Sequence, residues 1–187
     1  MSERLEIEGK YYLKNIDELM NIIDNKNFKY IETVKEKDEY FTDFNYKFIE
    51  NRTCLRLRTT NESTVELTYK GKSTDLNNIY AKIEKNIDLN IKDYNNFVEI
   101  LLALGYKSYV IVDKTRKVYT RKLDGIEFNV MIDNIKGCGD FVEFEIITDK
   151  SKEDASIIFE KYIKEMNANN FEVVTLPYRD IVKENIK

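Results

Sequence analysis

The sequence predicts an α+β fold: a closed, eight-stranded, mainly antiparallel β-barrel with a polar, charged lumen and helices packed outside. Three observations predict it. Eight segments alternate polar and apolar residues with a period of two, as strands with two unlike faces do. Four others carry apolar residues at helical spacing. The strands follow one another without strict βαβ alternation, which favours antiparallel pairing. About eight strands are enough to close a barrel with room for one ligand.

The predicted strands lie near 3–13, 31–41, 52–60, 64–71, 79–89, 108–121, 125–134 and 140–148. A further short strand is expected at 171–175. Asn61-Glu62-Ser63 reads as a hairpin loop, and Asp124-Gly125 as a tight turn that uses positive φ. Gly137-Cys138-Gly139 connects the seventh strand to the eighth. Helices are expected near 16–25, near 92–104 with Gly105 as the stop, and near 151–167 with Ser151 and Asp154 as a capping box. A short helix with proline at its first position is expected from Pro177.

The chain has 187 residues, with no linker-like stretch and no repeat, so a single domain spanning 1–187 is expected. It contains no histidine, which excludes a Ser-His-Asp triad, a Cys-His pair and an HExxH zinc site. Cys54 and Cys138 cannot make a four-cysteine zinc site. Cys54 sits among arginines, which can lower a thiol pKa, though a small wall residue is the plainer reading. The 34 acidic and 30 basic side chains nearly cancel, at −4, so a generally basic nucleic-acid binder is not expected. The charged N-terminus shows no signal peptide, and the longest apolar runs, such as Ile100 to Leu104, are too short to cross a bilayer. With only two cysteines, the expected location is the cytoplasm.

The chemistry lies in the charged strand faces, since residues two apart share a face. Glu6, Glu8 and Lys10 line up in the first strand, Arg56 and Arg58 in the third, Lys70 and Lys72 in the fourth. Lys82 and Glu84 align in the fifth, Lys114 and Arg116 in the sixth, Asn129, Met131 and Asp133 in the seventh, Glu143 and Glu145 in the eighth. Any one such face has a plain explanation, a solvated strand. As a set they separate by sign. A lumen built from these faces has a basic wall of Lys10, Arg56, Arg58, Lys70, Lys72, Lys82, Lys114 and Arg116. Its acidic corner holds Glu6, Glu8, Glu84, Glu143 and Glu145. The wall calls for a polyanion such as a triphosphate. The corner calls for a hard divalent cation, Mg²⁺ or Mn²⁺.

At these residues the chain resembles the CYTH proteins, or triphosphate tunnel metalloenzymes. Glu6-Ile7-Glu8-Gly9-Lys10 resembles the ExExK signature. Leu55-Arg56-Leu57-Arg58, Thr68-Tyr69-Lys70-Gly71-Lys72, Lys82-Ile83-Glu84 and Lys114-Thr115-Arg116 follow in the family's order. The run from Asp133 to Glu145 resembles the D-x-x-x-G-x-G-x-F-x-E-x-E segment. Pro177-Tyr178-Arg179-Asp180 resembles the tail of class IV adenylyl cyclases. The resemblance implies a triphosphate tunnel in which Glu6, Glu8, Glu143 and Glu145 hold metal, helped by Glu84 and Asp133. It implies phosphate ligands at Lys10, Arg56, Arg58, Lys70, Lys114 and Arg116, with Lys72 and Lys82 as further ones. Cyclase-type members commonly carry arginine where Lys82 stands and proline where Lys72 stands. Lys37-Asp38 and Tyr40 read as wall.

Two reactions share such a site. In a cyclase the ribose 3′-hydroxyl of ATP attacks the α-phosphorus and releases pyrophosphate. In a triphosphatase, water attacks the γ-phosphorus of thiamine triphosphate, tripolyphosphate or a nucleoside triphosphate. The cyclase is the leading expectation, with Glu6, Glu8, Lys10, Arg116 and Glu143 as the catalytic set. A non-catalytic polyphosphate-binding module is the third reading. A homodimer is also possible.

Overall fold

Strands with one charged and one apolar face must satisfy their backbone groups along the sheet and cover the apolar face with something else. The computed structural model shows how this chain does both. It describes residues 5–71, 74–76, 79–81 and 84–186, and the side chains of all of these except 74–84. The elements in order are β1 (Leu5–Tyr12), α1 (Ile16–Asn25), β2 (Lys29–Asp43), α2 (Lys47–Glu50), β3 (Cys54–Thr60), β4 (Thr64–Lys70), β5 (Thr74–Leu76) and β6 (Ile79–Ala81). Then follow β7 (Glu84–Leu89), α3 (Tyr94–Ala103), β8 (Tyr106–Leu123), β9 (Ile126–Ile135), β10 (Gly139–Thr148), α4 (Lys152–Glu165) and α5 (Tyr178–Asn185).

Eight strands form one sheet in the order β1-β10-β9-β8-β2-β3-β4-β7, and β5 with β6 makes a separate small hairpin. The ladders β1–β10, β10–β9, β2–β3, β3–β4 and β4–β7 are antiparallel. Strand number, pairing sense and α+β class are as expected. The closure is not: β1 and β7 are the two ends of the order, and no ladder joins them among the described residues. The other edge of β1 is taken by the chain's own later segment. Tyr12 N donates to Glu172 O at 2.9 Å and Val174 N donates to Lys10 O at 2.8 Å. The strand expected at 171–175 is therefore a single bridge, Tyr11 to Val173.

Other boundaries differ in small ways. The strand expected at 79–89 appears as β6 and β7, while β5 and α2 come without a sequence signal. Pro177 caps α5 from outside the helix. Ser151 caps α4 as expected, its Oγ accepting from Asp154 N at 3.2 Å. Asp124 and Gly125 both take positive φ in the β8–β9 turn, +52° and +77°.

The chain divides into two compact units. The first comprises residues 1–33, 115–135 and 139–176. Here Val142, Phe144 and Ile146 of β10 are fully buried or nearly so, on the face that α4 covers. Tyr162 of α4 anchors the contact. Its ring lies 5.0 Å from Phe128 and 5.7 Å from Phe144, and its hydroxyl donates to Asn129 O at 2.9 Å. Gly9 permits the close approach of α4: a Cβ there would lie 3.1 Å from Phe159 Cζ. The second unit comprises residues 34–114, 136–138 and 177–187. Its core is Phe41, Leu55, Leu57, Val65 and Leu101, with Phe97 and Val98 of α3 packed on it. In each unit a helix covers the apolar face of the strands and leaves the charged face to the opposite side, as expected.

No described helix is long and apolar enough to cross a membrane.

Removing the Tyr162 hydroxyl alone, in Tyr162→Phe, should cost ~1 kcal/mol of unfolding free energy. Tyr162→Ala should cost ~3–5 kcal/mol, because the helix loses its largest buried contact. Urea denaturation measures both, and equal costs would show that the ring does not carry the packing.

Candidate active site

In the first unit the strand registers bring the predicted acids onto one layer. Glu8 stands opposite Glu145 and Lys10 opposite Glu143 across the β1–β10 ladder. Across β10–β9, Glu145 stands opposite Asn129 and Glu143 opposite Met131. Asn129 Nδ2 donates to Glu145 Oε1 at 2.9 Å. Burial raises the Glu145 carboxyl above its usual pKa, and the nearby charges of Glu6, Glu8 and Glu143 raise it further, against the lowering effect of the Asn129 amide. Glu6 and Glu8 are exposed, while Glu143 and Glu145 are half-buried.

Arg116 lies in the same unit and is tightly held. Its Nε and Nη2 donate to the two carboxylate oxygens of Asp133, each at 2.6 Å, and Nη2 also reaches Glu143. Asp133 is fully buried. Asp133 is expected from the sequence to assist a metal. Here both of its oxygens serve a guanidinium, which is a positioning task.

The second unit carries the basic layer, and the surprise is its acids. Arg58 donates from Nε and Nη2 to both oxygens of Asp38, at 2.7 and 2.8 Å, and from Nη1 to Glu36 at 3.0 Å. Glu36 also meets Lys114 Nζ at 2.9 Å. Arg56 is held more loosely: Nη2 donates to Thr68 Oγ1 at 3.1 Å, and Nη1 lies 3.5 Å from Asp38. The buried Nε of Arg56 has no hydrogen-bond partner. Burial alone would raise the Asp38 carboxyl, but the hydrogen bond and charge of Arg58, with Arg56 and Lys114, hold it below the usual carboxylate range. Lys70 is half-buried on the same layer, opposite Cys54 in the β3–β4 register.

The acidic members Glu36 and Asp38 are absent from the site expected from the sequence, where this strand reads as wall. A signal was available. Glu36, Asp38 and Tyr40 share a face, and β2 pairs Asp38 with Arg58 and Tyr40 with Arg56. For Cys54 the expected pull of the arginines is outweighed: burial pushes the thiol up despite Arg56, Arg179 and Lys70. Lys72 and Lys82 lie outside the described residues. The backbone of Glu84 is opposite Lys70 in the second unit, and its side chain is not among those described.

Among the described residues no three carboxylates stand close enough together to enclose an ion. In kind, however, the donors fit a hard cation. Glu6, Glu8, Glu143 and Glu145 all offer carboxylate oxygens, and the charges of the first three disfavour the ionised form of Glu145.

A match to the CYTH domain covers residues 4–174. The adenylate cyclase CyaB of Aeromonas hydrophila is 29% identical over 148 residues, covering 78% of this chain and 71% of that one. The solved PH1819 protein of Pyrococcus horikoshii OT3 has a TM-score of 0.76 and 26% identity, covering 96% and 99% of the two chains. A candidate adenylyl cyclase from Hippeastrum, described as revealing a dominant triphosphatase activity, shares the fold with a TM-score of 0.71 at 15% identity, over 98% and 97%. The ordered charged motifs, the eight-stranded sheet that carries them and the match over residues 4–174 lead to one conclusion: the chain belongs to the CYTH domain family.

Proposed function

We propose that this chain is a divalent-metal-dependent adenylyl cyclase that converts ATP to cyclic AMP and pyrophosphate. The observation that carries the reading is the register that sets Glu8, Glu145 and Glu143 on one layer beside Arg116. Its likeness to a relative named adenylate cyclase supports the choice of reaction. The reading takes 1–187 as one domain and includes a closed tunnel, which rests on the family resemblance and not on the ladders.

In this reading Arg56, Arg58, Lys70 and Lys114 bind phosphate oxygens, joined by Lys10 and Arg116 and, from outside the described side chains, by Lys72 and Lys82. Asp38 and Asp133 hold Arg58 and Arg116 in fixed poses, so little ordering is left to do when substrate arrives. Glu6, Glu8, Glu143 and Glu145 hold Mg²⁺ or Mn²⁺, with Glu84 assisting. A cation there supplies positive charge to the triphosphate and so favours departure of pyrophosphate. The guanidinium of Arg116 stabilises the same developing charge from a preorganised position. The 3′-hydroxyl attacks the α-phosphorus, the bond to the bridging oxygen breaks, and a carboxylate of the acidic layer accepts the hydroxyl proton. A triphosphatase is the second reading, favoured by the dense pairing of bases on β3 and by the activity described for the Hippeastrum protein of the same fold. The site acts on a small-molecule triphosphate in the cytoplasm, with neither nucleic acid nor membrane as partner.

Incubation with ATP, thiamine triphosphate or tripolyphosphate, each with Mg²⁺ or Mn²⁺, tests the reaction. Cyclic AMP with pyrophosphate is expected, and orthophosphate as the sole inorganic product would replace the cyclase with the hydrolase. Glu143→Gln should lower turnover ~10–100-fold, and undiminished turnover would remove Glu143 from the site.

Glu145→Gln separates metal binding from stability. Its folded carboxyl has a raised pKa, so the ionised group destabilises the metal-free fold above that value. In EDTA at pH 7 the variant should therefore melt higher than the wild type. Added Mn²⁺ should raise the wild-type melting temperature and leave the variant nearly unmoved. An equal rise in both would place the cation elsewhere.

Asp38 has the opposite sign. Its folded pKa is lowered from 3.8, so its contribution is complete above that value and disappears as pH falls through the folded one. Asp38→Asn should cost ~3 kcal/mol at pH 7. The gap to the wild type should shrink below pH 3.8 in urea titrations, and a gap independent of pH would disprove the ionised pair.

A further inference from the structure

Of the carboxylates on the basic layer, Glu66 lies 3.7 Å from Arg56 Nη2, while Asp38 and Glu36 both meet Arg58 and are not equivalent. Asp38 is bound bidentately by one guanidinium at 2.7 and 2.8 Å and is 2% exposed. Every oxygen it has is used in near-ideal fork geometry, the arrangement hardest to displace. Glu36, two residues earlier on the same face of β2, spans two different cations. Its Oε1 accepts from Arg58 Nη1 at 3.0 Å, and its Oε2 lies 2.9 Å from Lys114 Nζ. That second contact is an ion pair without hydrogen-bond alignment, and Oε2 is left as a buried oxygen with no aligned donor.

We propose that Glu36 is an internal counter-anion that occupies a phosphate position between Arg58 and Lys114 and must be displaced when substrate binds, making it a specificity-determining residue. The inference rests on the reading of these two cations as phosphate ligands. A carboxylate whose two oxygens bridge two such cations presents the charge and spacing of two phosphate oxygens. Arg58 keeps Asp38 when Glu36 leaves, so displacement does not strand that guanidinium. Asp38 alone faces three buried cations, Arg56, Arg58 and Lys114, and Glu36 supplies a second negative charge that lowers the cost of burying them before substrate binds. The displacement cost is the same for every anion that takes the position. A triphosphate offsets it through further contacts, for which Arg56, with its unpartnered Nε, is available. Orthophosphate, with a single phosphate group, has no such reserve. Glu36 thereby sets a threshold that favours long polyanions.

The inference predicts that Glu36→Gln binds anions more tightly than the wild type. Calorimetric titration of the full chain with tripolyphosphate, pyrophosphate and orthophosphate, without divalent metal, reads it directly. The dissociation constants for Glu36→Gln should fall ~10-fold, and orthophosphate binding should become measurable. Glu36→Asp, which keeps the charge but is too short to span both cations, should lie between. A urea midpoint shows that each variant is folded, and the melting-temperature rise with tripolyphosphate should be larger in Glu36→Gln than in the wild type. Unchanged or weaker anion binding by folded Glu36→Gln would overturn the proposal and leave Glu36 a structural ion pair. Failure of the wild type itself to bind tripolyphosphate would instead overturn the phosphate-site reading on which the proposal rests.

Discussion

A charged side chain can be taken from water only if an opposite charge comes with it. The charged face of the sheet depends on that condition at two places, one in each unit. Arg58 is clasped by Asp38, and Arg116 by Asp133, in both cases through two nitrogens and two oxygens. The aspartates are 2% and 0% exposed, so neither pair is a surface ornament. Without them, the guanidinium groups of Arg58 and Arg116 would lose their bidentate partners and keep only single contacts such as those to Glu36 and Glu143. The arrangement also explains why arginine occupies both positions. Its planar fork fills a carboxylate and still has donor capacity left over, which an ammonium group cannot match.

The opposite strand faces meet the complementary demand. Leu55 and Leu57 alternate with Arg56 and Arg58, and Val142, Phe144 and Ile146 alternate with Glu143 and Glu145. Their burial against α3 and α4 supplies the hydrophobic free energy that fixes the strands. A register slip by one residue would exchange the two faces and bring charge into the apolar core. Packing on one side thus specifies the position of chemistry on the other. Gly9 shows how closely the two are linked. It lies between Glu8 and Lys10, and its missing side chain is what lets Phe159 approach β1.

Neighbouring carboxylates take on different tasks through geometry alone. Asp38 is a fixture of Arg58, Glu36 bridges two cations more loosely, and Glu145 is surrounded by other acids that disfavour its charge. An acid that stabilises the fold when ionised and one that strains it when ionised stand in the same sheet. The second kind is suited to a cation and the first to orienting a base. In this chain of the CYTH domain family both kinds stand on strands, not on loops.

The alternation within each strand was enough to locate all eight sheet strands and to separate their charged and apolar faces. The helix over 16–25 was legible to the residue, because Asn15 caps it and its apolar stripe is continuous. The acids of β1 and β10 and the bases of β3 and β8 were legible as sets, because residues two apart share a face in any strand. What each charge touches was not legible, since partners on neighbouring strands are set by register and by the rotamers that packing allows. Asp38 read as wall until its pairing with Arg58 placed it at the centre of the basic layer. Asp133 read as an acid that assists a metal, and its two hydrogen bonds from Arg116 were not legible. An extended segment at 171–175 was legible, but its place on the edge of β1 was not, because Tyr11 and Val173 lie far apart along the chain. Sequence alone determined which residues lie on the charged faces, through the two-residue period of the extended chain. Tertiary structure decided which charges neutralise one another, because that depends on distances of a few ångströms between strands.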